Sequence, residues 1–99
     1  MAEPAALLGS RTSGHGCYGP TQVMSGSPDV KINGIPAARV TDMIGFHQCS
    51  HEPYDGHTSN VAVGSGTVKI NGKAAAKLGS RAACSDTIIG GLSSNVRIG

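Results

Sequence analysis

Large hydrophobic side chains are scarce in this sequence. Its 99 residues include no Trp, one Phe and two Tyr, and only 38% of them are hydrophobic. A small domain with so few large side chains buries a thin core, and such domains often depend on disulfides, a metal ion or a partner. The composition therefore raises the question of which supplement stabilises the chain.

Other absences narrow the choice. Three cysteines cannot all pair within one chain, and Cys17 and Cys49 are expected to be thiols. Glu3 and Pro4 precede only a short apolar stretch, so no signal peptide is expected. No apolar run is long enough to span a membrane. A net charge of +2, spread along the chain, predicts no nucleic-acid partner. A metal ion or a protein partner remains.

An internal repeat is the strongest positive feature. Segment 30–40 reads VKINGIPAARV and returns at 68–78 as VKINGKAAAKL, while PAALLGSR at 4–11 and VRIG at 96–99 match its two halves. Equivalent residues of a repeat occupy equivalent places in space. The sequence predicts one domain over 1–99, with no extension domain and with repeat fragments at about 4–15, 24–47, 62–84 and 88–99.

Each unit predicts a β-hairpin. The VKI, VKI and VRI segments alternate β-branched and basic residues, which is typical of short strands with one apolar face. Asn33-Gly34 and Asn71-Gly72 follow directly, and Asn-Gly favours the tight hairpin turn. Segments 25–28, 64–66 and 90–91 are predicted to form equivalent bends, and alanine-rich 74–78 is expected to be strand-like because it aligns with a segment that contains Pro36. The predicted fold class is all-β.

Metal-ligating residues recur after each copy. His15 and His47 each lie six residues after the equivalent residues Gly9 and Thr41, and Cys84 has nearly the same place in the third copy. If the copies surround a pseudo-threefold axis, these side chains converge and can hold Zn²⁺. A His-rich site also suits Fe²⁺.

A fourth donor would complete a tetrahedral site. His57 is preferred, because it precedes the apolar segment 61–63 and is separated from His47 by a polar loop that can fold back. His51 is the main rival, and Cys49 and Cys17 are further candidates.

Catalytic alternatives are weaker. A zinc enzyme would need an open coordination position and an acid or base, for which Glu52 and Asp55 are available, but these are more typical of solvated loop charges. A His15–Cys17 nucleophile has no recognisable oxyanion site. We therefore expect no enzyme activity, with a small zinc-dependent enzyme or a metal-binding interaction module as the alternative.

The segment Pro36-Ala37-Ala38-Arg39, with GSPDV at 26–30 and ING at 32–34, resembles the signature of PAAR-repeat proteins. The resemblance implies a small cone of β-hairpins with pseudo-threefold symmetry and a Zn²⁺ near the apex, held by three His and one Cys. The residues of this chain that fit that set are His15, His47, His57 and Cys84. The chain departs from the family where 74–77 reads AAAK, and where Thr41-Asp42 and Gly79-Ser80 replace the usual Gly-Asp.

The resemblance also implies a function. PAAR-repeat proteins cap a trimeric β-helical spike, called VgrG in type VI secretion systems, and similar tips occur on contractile phage tails. They sharpen the spike for membrane puncture and link effectors to it. Such a protein would assemble in the cytoplasm of the producing cell or in the phage particle, and would cross the target envelope without being membrane-embedded. Lys31, Lys69 and Arg97 share one repeat position, so they are either a ring for spike docking or ordinary solvated side chains.

Overall fold

The computed structural model describes residues 2–48 and 56–99. Within these residues the chain forms ten short strands and no helix, so the all-β prediction is confirmed. No helix that could cross a membrane occurs in the described residues. The strands are β1 Glu3–Pro4, β2 Arg11–Thr12, β3 Lys31–Ile32, β4 Ile35–Pro36, β5 Met43–His47, β6 His57–Asn60, β7 Lys69–Ile70, β8 Lys73–Ala74, β9 Ile88–Gly90 and β10 Arg97–Ile98.

Three of the strand pairs are copies of one hairpin. β3 pairs with β4, β7 with β8, and β1 with β10, all antiparallel. The third copy joins the two ends of the chain. The other two pairs are β2 with β9 and β5 with β6.

The Asn-Gly turns have the predicted conformation. φ is 53° at Asn33 and 80° at Gly34, and 55° at Asn71 and 78° at Gly72. Positive φ at both central residues is the geometry that matches the twist of a two-residue hairpin, and Asn and Gly tolerate it best. The predicted hairpins are therefore confirmed.

Backbone hydrogen bonds close a ring around a pseudo-threefold axis. The N–H of Ala6 donates to the carbonyl of Ala76 (3.0 Å), Ala76 donates to Ala38 (2.9 Å), and Ala38 donates to Ala6 (3.0 Å). All three alanines are fully buried. Their methyl side chains let three backbone segments meet at the axis, which explains why the repeat keeps alanine there.

Serine side chains fix the bends before the hairpins. The Oγ atoms of Ser27, Ser65 and Ser93 each accept the amide three residues later, at 2.9 Å in every copy. The third bend of this set lies at 94–95, so the expected equivalence of 90–91 was wrong. Gly91 instead has φ 64° and lies where an added Cβ would be 3.1 Å from the Cα of Ser10.

Two apolar clusters divide the molecule, whose principal extents are 40 × 26 × 21 Å. We call the part around the first cluster the metal end, because Cys84 packs against it, and the part around the second the hairpin end. The metal-end cluster contains Ala6, Val23, Ala38, Ile44, Val61, Ala76, Ala82 and Ile88. The hairpin-end cluster contains Ala5, Ala37, Ile70, Ala75 and Ile98, with Ile32 and Val96 packed against it.

Candidate metal centre

Four potential metal ligands meet at one point. One ligand atom from each of His15, His47, His57 and Cys84 lies within 4.8 Å of the others. These are the four side chains that the repeat and the family resemblance had selected. The rival fourth ligand His51, together with Cys49, Glu52 and Asp55, lies outside the described residues.

Strand pairing brings two of the histidines together. His47 ends β5, His57 begins β6, and the two are partners in the register of this pair. Their Nε2 atoms are 2.8 Å apart. A register shift between Ile44 and His47 changes the local course of the strand, as expected of an irregularity that redirects a side chain at a functional site.

A glycine-dependent turn presents His15. Its N–H donates to the Tyr18 carbonyl at 3.0 Å, and the Tyr18 N–H donates back at 2.9 Å. Gly14 precedes this turn with φ 77°, and a Cβ at Gly14 would lie 2.5 Å from the Tyr18 carbonyl oxygen. Only glycine fits both the conformation and the space there.

Cys84 is the free cysteine of the described residues. Its N–H donates to Ser59 Oγ at 3.1 Å, and the next residue, Ser85, has φ 83°. The thiol is half-buried and lies against the metal-end cluster. Cys17, in contrast, is disulfide-bonded, so the expectation that it is a thiol was wrong.

Hydrogen bonds fix how two histidine rings face the centre. His47 Nδ1 lies 2.8 Å from the Gly19 carbonyl oxygen, and His15 Nδ1 lies 2.6 Å from Asp86 Oδ1. Carbonyl and carboxylate oxygens only accept, so each Nδ1 donates its proton. The lone pair is then on Nε2, the atom that a metal ion needs.

The surroundings of His57 favour its neutral form. Burial, followed by the neighbouring His47 and His15, lowers the pKa of His57 from its ordinary value of 6.5. The Tyr18 ring covers the group, with its centroid 4.3 Å from that of His57 and 4.9 Å from that of His15. A metal ion binds the neutral form of histidine, so this environment suits a metal site.

The donor set fits a structural zinc ion. Imidazole nitrogen and cysteine sulfur are both tetrahedral ligands of Zn²⁺, with bonds of roughly 2.0–2.3 Å, and a cluster within 4.8 Å can close around one ion. Fe²⁺ takes similar ligands. When bound, the ion would cross-link three segments of the chain that are far apart in sequence.

Sequence reasoning missed three contributors to this site. Asp86 is fully buried beside His15, the Gly19 carbonyl accepts from His47, and the Tyr18 ring stacks on that of His15. The aligned repeat gave no signal for Asp86, because this residue becomes equivalent to Thr21 and Ser59 only through the strand pairing of the folded chain.

Comparisons with known proteins agree with this geometry. No curated protein matches the chain. The family model of the PAAR motif matches residues 13–90, a span that contains all four side chains of the candidate metal centre. The chain therefore belongs to the PAAR-motif family.

Proposed function

We propose that this protein is the structural tip of a trimeric β-helical spike, either a VgrG-like spike of a type VI secretion system or the spike of a phage or phage-like tail. The observation that carries the proposal is the closed ring of Ala6, Ala38 and Ala76 hydrogen bonds. One chain thereby offers three similar faces around one axis. A single copy can match a partner that consists of three identical chains.

The docking surface is assigned to the hairpin end. Lys31, Lys69 and Arg97 are exposed and have equivalent positions in the three hairpins, opposite Pro36, Ala74 and Pro4, respectively. Three cations related by the pseudo-threefold axis can steer association with acidic or carbonyl groups on a threefold partner.

The metal centre stabilises the other end. Three of its four donors come from equivalent places in the three copies, so a bound ion ties the copies together at this end. Four protein ligands form a closed site, whereas a catalytic zinc keeps a position for water or substrate. This argues for a structural metal and against a small zinc-dependent enzyme.

We also propose where the protein assembles and how it is delivered. It assembles on the spike in the cytoplasm of the producing cell, or in the phage particle, and crosses the target envelope with the spike. Effectors that bind the tip travel with it. Membership of the PAAR-motif family supports this route of assembly and delivery.

The test is binding to a purified trimeric spike. The protein is mixed with the β-helical segment of a VgrG-type spike and, separately, of a phage-tail spike, and the complexes are sized by sedimentation and light scattering. We expect one copy per spike trimer with one of the two. No complex with either would overturn the proposal.

A charge-matched pair of variants tests the docking surface. The triple variant Lys31→Ser, Lys69→Ser and Arg97→Ser should associate more slowly and with a weaker salt dependence. The control replaces three cations that belong to one repeat copy, Lys73, Lys77 and Arg81, by serine. An equal loss in both variants would show a net-charge effect and would remove the assignment of the ring.

A further inference from the structure

Asp86 has an unusual environment for a carboxylate. It is fully buried, and its Oδ2 atom has no hydrogen-bond partner. Its ion pairs within the described residues are both to histidines, 2.6 Å from Oδ1 to His15 Nδ1 and 3.7 Å from Oδ2 to His47 Nδ1. A buried charge without full compensation is costly, so a native structure that keeps one needs a reason for it.

Charge balance supplies one reason. A divalent ion with one thiolate and three neutral imidazoles keeps one net positive charge. The Asp86 carboxylate lies directly behind two of the imidazoles and carries the single negative charge that balances it. In the loaded protein, the net positive charge of the metal site and the negative charge of Asp86 would therefore neutralise each other in a region of low dielectric.

Geometry supplies the other reason. The Oδ1 contact of 2.6 Å requires the proton of His15 on Nδ1, which leaves Nε2 as the ligand atom. The imidazole of His47 is fixed in the same sense by a backbone carbonyl, that of Gly19. His15 has a carboxylate in the corresponding place, which also increases the basicity of the ring toward a metal ion.

We propose that Asp86 is a positioning residue of the metal centre, which holds His15 in the ligating tautomer and balances the charge of the loaded site. The register of the repeats supports this. The N–H of Ala82 donates to the backbone carbonyl of Asp86 at 2.8 Å, and the equivalent N–H of Thr12 donates to the backbone carbonyl of Thr21 at 2.9 Å. The third equivalent residue is Ser59, whose Oγ accepts the Cys84 N–H, so two members of this set support ligands. The inference rests on the metal centre and not on spike docking, so its failure would leave the docking proposal untouched.

The experiment measures metal affinity in the full chain. Asp86→Asn keeps the shape of the side chain and removes its charge, and Asp42→Asn is the control, because Asp42 is also buried but pairs with Arg39. Zn²⁺ affinity is measured by competition with a chromophoric chelator. We expect Asp86→Asn to bind about 10–100-fold more weakly and the control to bind like the wild type. Equal affinity of Asp86→Asn and wild type would overturn the proposal.

A second measurement separates positioning from general destabilisation. Imidazole ¹⁵N signals of the zinc-loaded protein report which ring nitrogen carries the proton. In the wild type His15 should be protonated on Nδ1, with a strongly hydrogen-bonded proton signal that Asp86→Asn shifts while the signals of His47 stay in place. If the His15 signals do not change in Asp86→Asn, Asp86 does not act through His15, and the proposal is wrong even where affinity falls.

A double-mutant cycle gives the same information in binding constants. In a His15→Ala background the effect of Asp86→Asn on Zn²⁺ affinity should be clearly smaller than in the wild type, because the positioning role is gone and only the charge balance remains. A full effect in that background would contradict the proposal. Asp86→Glu, which keeps the charge, should recover part of the affinity that Asp86→Asn loses.

Discussion

The hairpin end and the metal end of this molecule are stabilised in different ways. At the hairpin end the three copies are nearly interchangeable: Ala5, Ala37 and Ala75 are fully buried, and each amide donates to the valine carbonyl of its own hairpin at 2.9–3.0 Å. At the metal end the ring of Ala6, Ala38 and Ala76 is still symmetric, but the metal-ligating residues of the copies differ. Two supply histidine and one supplies cysteine, and His57, which pairs with His47, takes the place that Tyr18 has opposite His15 in the first copy.

The contrast follows from what each end has to do. Backbone hydrogen bonds and methyl-sized side chains can be repeated around an axis, because they depend little on residue identity. A tetrahedral metal site needs four donors, and one donor from each of three copies gives three, so one copy must supply a second donor and the equivalence of the copies is lost there. Symmetry is kept where the backbone provides the stability and is lost where specific side chains provide it.

Removal of the metal should therefore affect the two ends unequally. We expect one metal ion per chain by elemental analysis, with binding weakened or lost in Cys84→Ser. Structural zinc contributes on the order of 10 kcal/mol to the folding of small domains, so a chelator should lower the melting temperature strongly. Hydrogen exchange, measured with and without chelator, should show rapid exchange around His15, His47 and Cys84 first.

Amides of the hairpin end provide the internal control. The N–H groups of Ala5, Ala37 and Ala75 should stay protected at chelator concentrations that already release the metal end. Simultaneous loss of protection at both ends would show that the molecule is one cooperative unit, and the distinction between the ends would then be structural but not energetic.

Disruption of the Arg39–Asp42 ion pair should cause the next-largest loss of stability. Asp42 Oδ2 accepts from the Arg39 N–H at 2.7 Å and from Nε at 3.0 Å, and Oδ1 accepts from Nη2 at 2.8 Å. Both side chains are buried, so Asp42→Asn should cost about 3–5 kcal/mol in urea denaturation. The matched control is Ser80→Ala, since Ser80 Oγ accepts the equivalent amide of Lys77 at 3.0 Å without a charge. A similar cost for both variants would mean that the charge of the pair is unimportant.

The Arg39–Asp42 pair should also make the free energy of unfolding depend on pH. Burial alone would raise the pKa of Asp42, but hydrogen bonds from Arg39 and Ser25 bring the pKa below the ordinary value of 3.8. A carboxyl group whose pKa is lowered by folding stabilises the folded state above its unfolded pKa and loses that contribution as the pH falls through the folded value. The difference in unfolding free energy between wild type and Asp42→Asn should thus be constant above about pH 5 and shrink below pH 3.8. Both proteins release metal in acid, so their difference isolates Asp42.

Much of this organisation could be predicted from the sequence, and the exceptions have physical reasons. The Asn-Gly turns follow from local backbone preferences, and the repeat placed His15, His47 and Cys84 together. Asp86 was missed because its importance depends on the segment that packs behind His15, which lies 71 residues away in the chain. Contacts between copies, such as Arg39 Nη1 to Asn71 Oδ1 at 3.1 Å, were likewise inaccessible, because the repeat gives equivalence but not the relative placement of the copies.

A larger side chain in the hairpin-end cluster should lower the stability of the protein without changing metal binding. Ala37 is fully buried in the hairpin-end cluster, so Ala37→Val should destabilise the protein by about 1–3 kcal/mol through overpacking. The metal content and Zn²⁺ affinity should stay those of the wild type. Ala83→Val, at an exposed position, is the control and should change neither quantity. A loss of Zn²⁺ affinity in Ala37→Val would show that packing at the hairpin end is coupled to the metal centre.

The smallest expected effect is an increase in stability from a substitution that the repeat suggests. Gly66 follows the bend serine Ser65 as Pro28 follows Ser27, so the first copy shows that proline fits this place. Nothing lies within 4 Å of a Cβ built on Gly66, and no hydrogen bond from its N–H is found within the described residues. Gly66→Pro should restrict the unfolded chain and add about 0.4–1 kcal/mol of stability, which corresponds to roughly 2–8 °C in a thermal melt of a domain this size.

The neighbouring glycine should respond in the opposite direction. A Cβ on Gly64 would lie 2.6 Å from the Ala75 carbonyl oxygen and 3.0 Å from a methyl group of Val40, so Gly64→Ala should lower the melting temperature. Gly64 therefore serves close approach between copies, whereas Gly66 serves no contact. A rise in melting temperature for Gly66→Pro, with unchanged metal affinity, would show that the hairpin end can be stabilised by exchanging residues between equivalent positions. The metal centre offers no such exchange, because Cys84 stands where the other two copies have histidine, and His57 is a second donor beside His47.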